Sequence, residues 1–156
     1  MSLLLAGLDE YLLSILPPRD AVLTRMEQDA ARRGIPIVGP AVGRLLAQYS
    51  RLVGARRVFE LGSAIGYSTI WLARAVGPQG HVFFTDGSEE NAAEARRNLA
   101  EAGVAEHVTV LVGDALTRLD ETEGEFDLVF NDVDKEGYPD VLRLSLIHIS
   151  EPTRPY

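Results

Sequence analysis

The stretch FNDVDKEGY, Phe130 to Tyr138, sets Asp132, Asp134 and Lys135 directly after an apolar run. Lys135 is the only lysine in the chain; every other fixed positive side chain is arginine. Carboxylates placed this way offer hard oxygen ligands to a divalent cation such as magnesium, which needs only one or two of them beside water. A lysine near a cation can have its pKa lowered towards neutrality and take a proton, which arginine cannot do. The plain alternative is a surface Lys135 paired with Glu136 or Asp134. Asp134 reads equally as a residue supporting a site and as a solvated one.

A second chemical signal is VFELGSAIGYST, Val58 to Thr69. A glycine turn between a strand and a helix N-terminus lets backbone amides approach a ligand closely. The pattern is E-x-G-x-x-x-G, not the dinucleotide G-x-G-x-x-G. Glu60 at the strand end would repel a pyrophosphate and suits a ligand carrying an ammonium or sulfonium group, which favours S-adenosylmethionine over NAD. The next strand ends in Asp86, where nucleotide-binding sheets place an acid on the ribose hydroxyls, though a turn or helix-capping aspartate is the competing reading. VGDAL follows the third strand; Asp114 could accept from an adenine amino group or cap the next helix.

The elements that must position these residues follow from periodicity. Helices are expected near 5–15, where Leu4, Leu8, Tyr11, Leu12 and Ile15 recur at helical spacing, at 19–33 with Asp20 as cap, and at 41–52. Strands at 56–62, 81–86, 107–114 and 126–132 then alternate with helices at 67–76 and 88–103, the latter closed by Gly103. This predicts an α/β fold: a Rossmann-like, doubly wound, mostly parallel sheet with helices on both faces and an N-terminal helical extension.

Composition sets bounds. A chain of 156 residues that is 46% hydrophobic has material for one core. A net charge of −8 speaks against nucleic acid or an anionic membrane as partner. Without cysteine there is no thiolate metal site, thiol nucleophile or disulfide. The N-terminus lacks a basic leader region and its apolar run is broken by Asp9 and Glu10, so a cytoplasmic protein is expected.

Taken in order and spacing, VFELGSAIGYST, FFTDGSEENAAEARRNLAEAG, VGDAL and FNDVDKEGY resemble the metal-dependent small-molecule O-methyltransferases, the class I group containing catechol and caffeoyl-CoA O-methyltransferases, over roughly residues 8–143. The resemblance implies that Glu60, Gly62, Ser63 and Ser68 line the methionine end of S-adenosylmethionine, with Val38 packing nearby. It implies that Asp86 binds the ribose and that Asp114 and Ala115 border the adenine. Asp132 would both ligate a divalent cation, usually magnesium, and neighbour the cofactor, and Lys135 would be the general base acting on a hydroxyl of a small, catechol-like or phenolic acceptor. It also implies a homodimer as a common assembly.

Two departures qualify this. The segment PIVGP stands where the family often has a Met-Gln or similar pair, so the acceptor is not specified. No Asp-Asn dipeptide, the family's source of further metal ligands, occurs in the chain. From Leu144 the sequence LSLIHISEPTRPY matches no part of the family and resembles a translated sequencing adapter. The expectation is therefore a methyltransferase domain over 1–143, incomplete at its C-terminus, with a non-native tail over 144–156 in which His148 has no catalytic role. The competing functions are an NAD-linked oxidoreductase and a non-catalytic cofactor-binding module.

Overall fold

The computed structural model describes residues 7–133; Asp134, Lys135 and the segment 144–156 lie outside them. Three helices open the chain: α1 (Leu8–Ile15), α2 (Ala21–Arg33) and α3 (Gly39–Leu52). The rest alternates: β1 (Arg57–Leu61), α4 (Tyr67–Val76), β2 (His81–Asp86), α5 (Glu89–Glu101), β3 (Val108–Val112), α6 (Ala115–Glu121) and β4 (Leu128–Asn131). The four strands form one parallel sheet in the order β3-β2-β1-β4, as the alternation predicts. The order reverses beside β1, and such a reversal opens a crevice at the carboxyl ends of the strands.

Strand β1 lies between β2 and β4 and is covered on both faces, which is why it reads as an apolar run rather than an alternation. Val58 faces the α4 side with Val82, Ile70 and Leu72. Phe59 and Leu61 face the α6 side with Leu119 and Phe126. The Phe59 ring meets Phe126 edge-on, with centroids 5.1 Å apart. Asp127 pins the start of the strand by accepting from the backbone N–H groups of Arg56 and Arg57, both at 2.8 Å. Helix α5 packs on the same face as α4, through Ala92 and Ala95 against Phe84, so β1-α4-β2-α5-β3 winds one way and α6 begins the other layer.

The caps expected from the sequence form. Asp20 accepts from Leu23 N–H at 2.9 Å to start α2. Gly103 closes α5 with its N–H on Ala100, while the Val104 N–H reaches back to Leu99 at 3.0 Å, the paired bonds of a Schellman turn. Strand β3 is shorter than expected at both ends, because His107 belongs to a 3-10 turn (Ala105–His107) and Gly113 turns the chain away. Helix α6 has no clear periodic signal in the sequence; it is short and only Leu119 is buried. Helix α1 forms, but Tyr11, Leu12 and Ile15 remain exposed, so its apolar stripe is not used by the described fold. No described helix is long and apolar enough to cross a membrane.

Candidate functional site

Strands β1, β2 and β4 end level with one another: Leu61 pairs with Thr85 on one side and Asn131 on the other. The residues that follow converge on a cavity of about 700 Å³. Gly62, Ser63 and Ser68 form one wall, Asp86 and Asn91 another, Asp132 a third, and the segment before α3, including Val38, closes the fourth. A smaller cavity of about 320 Å³ lies over the end of β3, lined by Asp114 and Ala115. Both share Gly62, Asp86 and Val133, so together they make one groove across the strand ends. Among the described residues, no arginine, lysine or histidine lines either cavity.

Backbone geometry explains why the loop after β1 needs glycine. Gly62 has φ +81°, and a Cβ there would sit 2.8 Å from the Asp132 carbonyl oxygen. This close approach lets Asp132 N–H donate to the Leu61 carbonyl at 2.8 Å, locking the end of β4 to β1. Thr85, fully buried, holds the loop from the other side. Its carbonyl accepts from Ser63 N–H at 2.8 Å and its hydroxyl donates to the Glu60 carbonyl at 2.7 Å. Ala64 sits at φ +45° and is held there by donating its N–H to Asp86 Oδ2 at 2.9 Å.

The carboxylates take distinct positions. Asp86 stands at the mouth shared by both cavities; besides Ala64, it accepts on Oδ1 from Ser88 N–H at 2.8 Å and Asn91 Nδ2 at 3.1 Å. The capping role that competes for Asp86 in the sequence falls instead to Ser88, whose hydroxyl accepts from Asn91 N–H. Asp114 caps α6 by accepting on Oδ1 from the Thr117 N–H at 2.8 Å, which holds its carboxyl below the usual range. It also lines the smaller cavity, so the capping reading and a place in the groove are both realised. Asp132 is exposed to the larger cavity, where partial burial raises its pKa.

Glu60 is not on the cavity wall, as expected from the sequence, but one layer behind it and fully buried. Its position in the strand decides this: Glu60 pairs with Phe84 and Phe130 inside the sheet, and its side chain runs under α4, where the Thr69 hydroxyl donates to Oε2. Oε1 has no hydrogen-bond partner. Burial pushes the carboxyl up to about 7; the hydroxyls of Ser68, Thr69 and Ser63 oppose the shift and the charge of Asp132 adds to it.

Polar ties that the sequence does not reveal fasten α2 to this loop. The Tyr67 hydroxyl, at the cavity, donates to Glu27 Oε1 at 2.7 Å, and Glu27 is gripped by Arg19, whose Nη2 lies 2.8 Å from Oε2. Buried Asn98 accepts from Arg25 at 2.9 Å and donates to the Ile65 carbonyl at 3.0 Å. Sequence reasoning also misses Thr85, Asn91 and Asn98; polar residues on buried positions of an apolar strand and a core-facing helix are the available signal. For a metal, Asp132 is the one described residue of the expected set. Among the described residues no group of three or more His, Asp or Glu gathers to hold an ion.

The sequence pattern of the O-methyltransferase family matches residues 19–149. The chain belongs to the O-methyltransferase family. Within the family it is 44% identical over 133 residues to a catechol O-methyltransferase of Mycobacterium tuberculosis, an alignment covering 85% of this chain and 60% of that protein. The chain therefore spans about 60% of that relative's length. Its fold superposes with a TM-score of 0.84 on an O-methyltransferase from Bacillus cereus solved in complex with SAH, at 34% identity over 92% of this chain and 68% of that one. The O-methyltransferase TomG of Streptomyces achromogenes, involved in tomaymycin synthesis and solved with SAM, also superposes at 0.84, with 35% identity over 92% of this chain and 67% of that one.

Proposed function

We propose that this chain is the cofactor-holding part of an S-adenosylmethionine-dependent O-methyltransferase that acts on a hydroxyl of a small, catechol-like or phenolic acceptor. The observation that carries the reading is a groove over the strand ends that has carboxylates on its wall and no basic side chain among the described residues. Among the described residues a pyrophosphate would find no cationic side chain there, whereas a cationic ligand finds Asp132 on the wall. The names of the relatives, and the SAM and SAH in two of their structures, support the same reading.

S-adenosylmethionine, when bound, supplies an electrophilic methyl on a sulfonium. In this reading Gly62, Ser63 and Ser68 present the loop to its amino-acid end, and Val38 gives an apolar wall. Asp86 accepts from the ribose, Asp114 and Ala115 border the base, and Asp132 offers negative charge to the cationic end. Lys135, three residues beyond Asp132, takes the proton of the acceptor hydroxyl. A divalent cation such as magnesium belongs to the family resemblance. Asp132 could offer it one hard oxygen, but the described residues do not complete a site, so no step is derived through a metal. The reading also takes a second copy of the chain as partner, excludes nucleic acid and membrane, and places the protein in the cytoplasm.

The test is a calorimetric titration with SAH and with NADH, followed by methyl transfer from S-adenosylmethionine to catechol. SAH should bind and NADH should not; the reverse would overturn the cofactor assignment. Lys135→Ala should lower kcat by about 10²- to 10⁴-fold, the usual range for general-base catalysis, while leaving SAH affinity intact. An unchanged kcat removes Lys135 as the base.

A further inference from the structure

We propose that Arg33 and Glu94 are a positioning pair for the bound cofactor. Together they hold the fourth wall of the larger cavity, residues 34–38, against the wall containing Asn91, and so set how long the ligand stays bound. This rests on the S-adenosylmethionine reading above. The fourth wall hangs from the end of α2. The N–H groups of Gly34 and Ile35 both reach back to the Ala30 carbonyl, so the first residues of the wall follow the last turn of that helix. Glycines in the left-handed region stand at both ends of the segment, Gly34 at φ +68° and Gly39 at φ +72°. Among the described residues an added Cβ would meet nothing within 4 Å at either, so no packed atom at these turns fixes the angle of the wall.

The core does not fix it either. Leu23, Met26 and Ala30 are buried on α2, but no residue from 31 to 42 is buried, and Ile35, Ile37 and Val38 pack only in part against the core. At the end of α2, Arg32 turns to Asp29 on its own helix. Arg33 instead reaches across to α5, where Nη1 donates to Glu94 Oε1 at 2.7 Å and Nη2 donates to Oε2 at 2.9 Å. Both partners adjoin the cavity: Arg33 directly precedes Gly34, and Glu94 stands one turn after Asn91. The pair therefore bridges two walls from outside. A forked guanidinium–carboxylate contact fixes orientation as well as distance, which is what a wall between two open glycine turns lacks. Arg25 joins the same two helices towards the far end of α5, through Asn98 and Glu101, and so provides an internal control.

The experiment is stopped-flow displacement of SAH from the unmodified protein, Arg33→Gln, Glu94→Gln, the double variant and Glu101→Gln. Either single substitution in the pair should raise the SAH dissociation rate by about twofold to fivefold, the scale of one partly exposed ion pair. The double variant should match the singles, because either change alone already breaks the contact. Glu101→Gln costs α2 an ion pair to the same helix while Asn98 keeps hold of Arg25, and it should leave the rate unchanged. An unchanged rate in Glu94→Gln overturns the proposal. An equal rise in Glu101→Gln also overturns it, because the pair would then only steady α2. Effects that multiply in the double variant refute the pairing. If Glu94→Gln fails to fold by circular dichroism, Arg33→Gln carries the same test from the other side. An unmodified protein that binds no SAH sinks the cofactor reading and this proposal with it, whereas SAH binding with unaltered release sinks this proposal alone.

Discussion

Glu60 places a carboxyl under the glycine loop with one oxygen bonded to Thr69, and its pKa rises to about 7 because burial favours the neutral acid over the help of the nearby hydroxyls. The ordinary value of 4.5 applies in the unfolded chain. The folded state therefore binds the proton more tightly. The stability this contributes is fully present below the unfolded value and is lost as pH rises through the folded one. Between those limits the loss amounts to about 3 kcal/mol, at 1.36 kcal/mol per pH unit. Glu60→Gln keeps the shape and removes the titration. Urea unfolding at pH 5 and pH 8 without ligand should show a wild-type stability that falls across the window and a Gln variant that does not. Parallel pH profiles would mean that Glu60 stays charged in the folded protein.

The loop between β1 and α4 is the element on which the site depends, and its tolerance can be read from the space around each glycine. Gly62→Ala puts a Cβ into the left-handed region and against the backbone of Asp132. The expected cost is about 2–4 kcal/mol from the two effects together, with weakened SAH binding because Asp132 is displaced. At Gly87, beside the same groove, an added Cβ would meet nothing within 4 Å, so Gly87→Ala should leave the melting temperature nearly unchanged. Equal losses for both variants would refute the close-approach argument. The loop itself is legible in the sequence, since E-x-G-x-x-x-G between an apolar run and a helical run has few other uses. Its support is not: Thr85 and Asn98 are fastened to it by residues 22 and 33 positions away in the chain.

At the scale of the whole molecule, large apolar side chains are left exposed on α3 as well as α1. Val42, Leu45, Tyr49 and Leu52 follow one another at helical spacing on α3, with Tyr49 53% and Leu52 80% exposed, and Leu45, Tyr49 and Leu52 border a groove of about 320 Å³. If a second copy covers this face, sedimentation velocity should show concentration-dependent dimers. Replacing Tyr49 and Leu52 together by Glu should weaken association by about tenfold or more, as for truncation of an interface hot spot. A wild-type monomer at tens of micromolar would remove the dimer from the reading. The sequence by itself determined the order of helices and strands apart from α6, the parallel sheet, the ends of α2 and α5, and the placing of Asp86, Asp114 and Asp132 at the groove. Those features depend on periodicity, caps and glycine, which act over a few residues. Only the tertiary structure decided that Glu60 lies behind the wall and that Asp86 is already committed to three donors. It also decided that Tyr67, through Glu27, and Asn98, through Arg25, tie the loop to α2. The bonds of Ala64 to Asp86, Tyr67 to Glu27 and Arg25 to Asn98 join residues 22, 40 and 73 positions apart, and local pattern carries no record of which distant partner fills a given hydrogen bond.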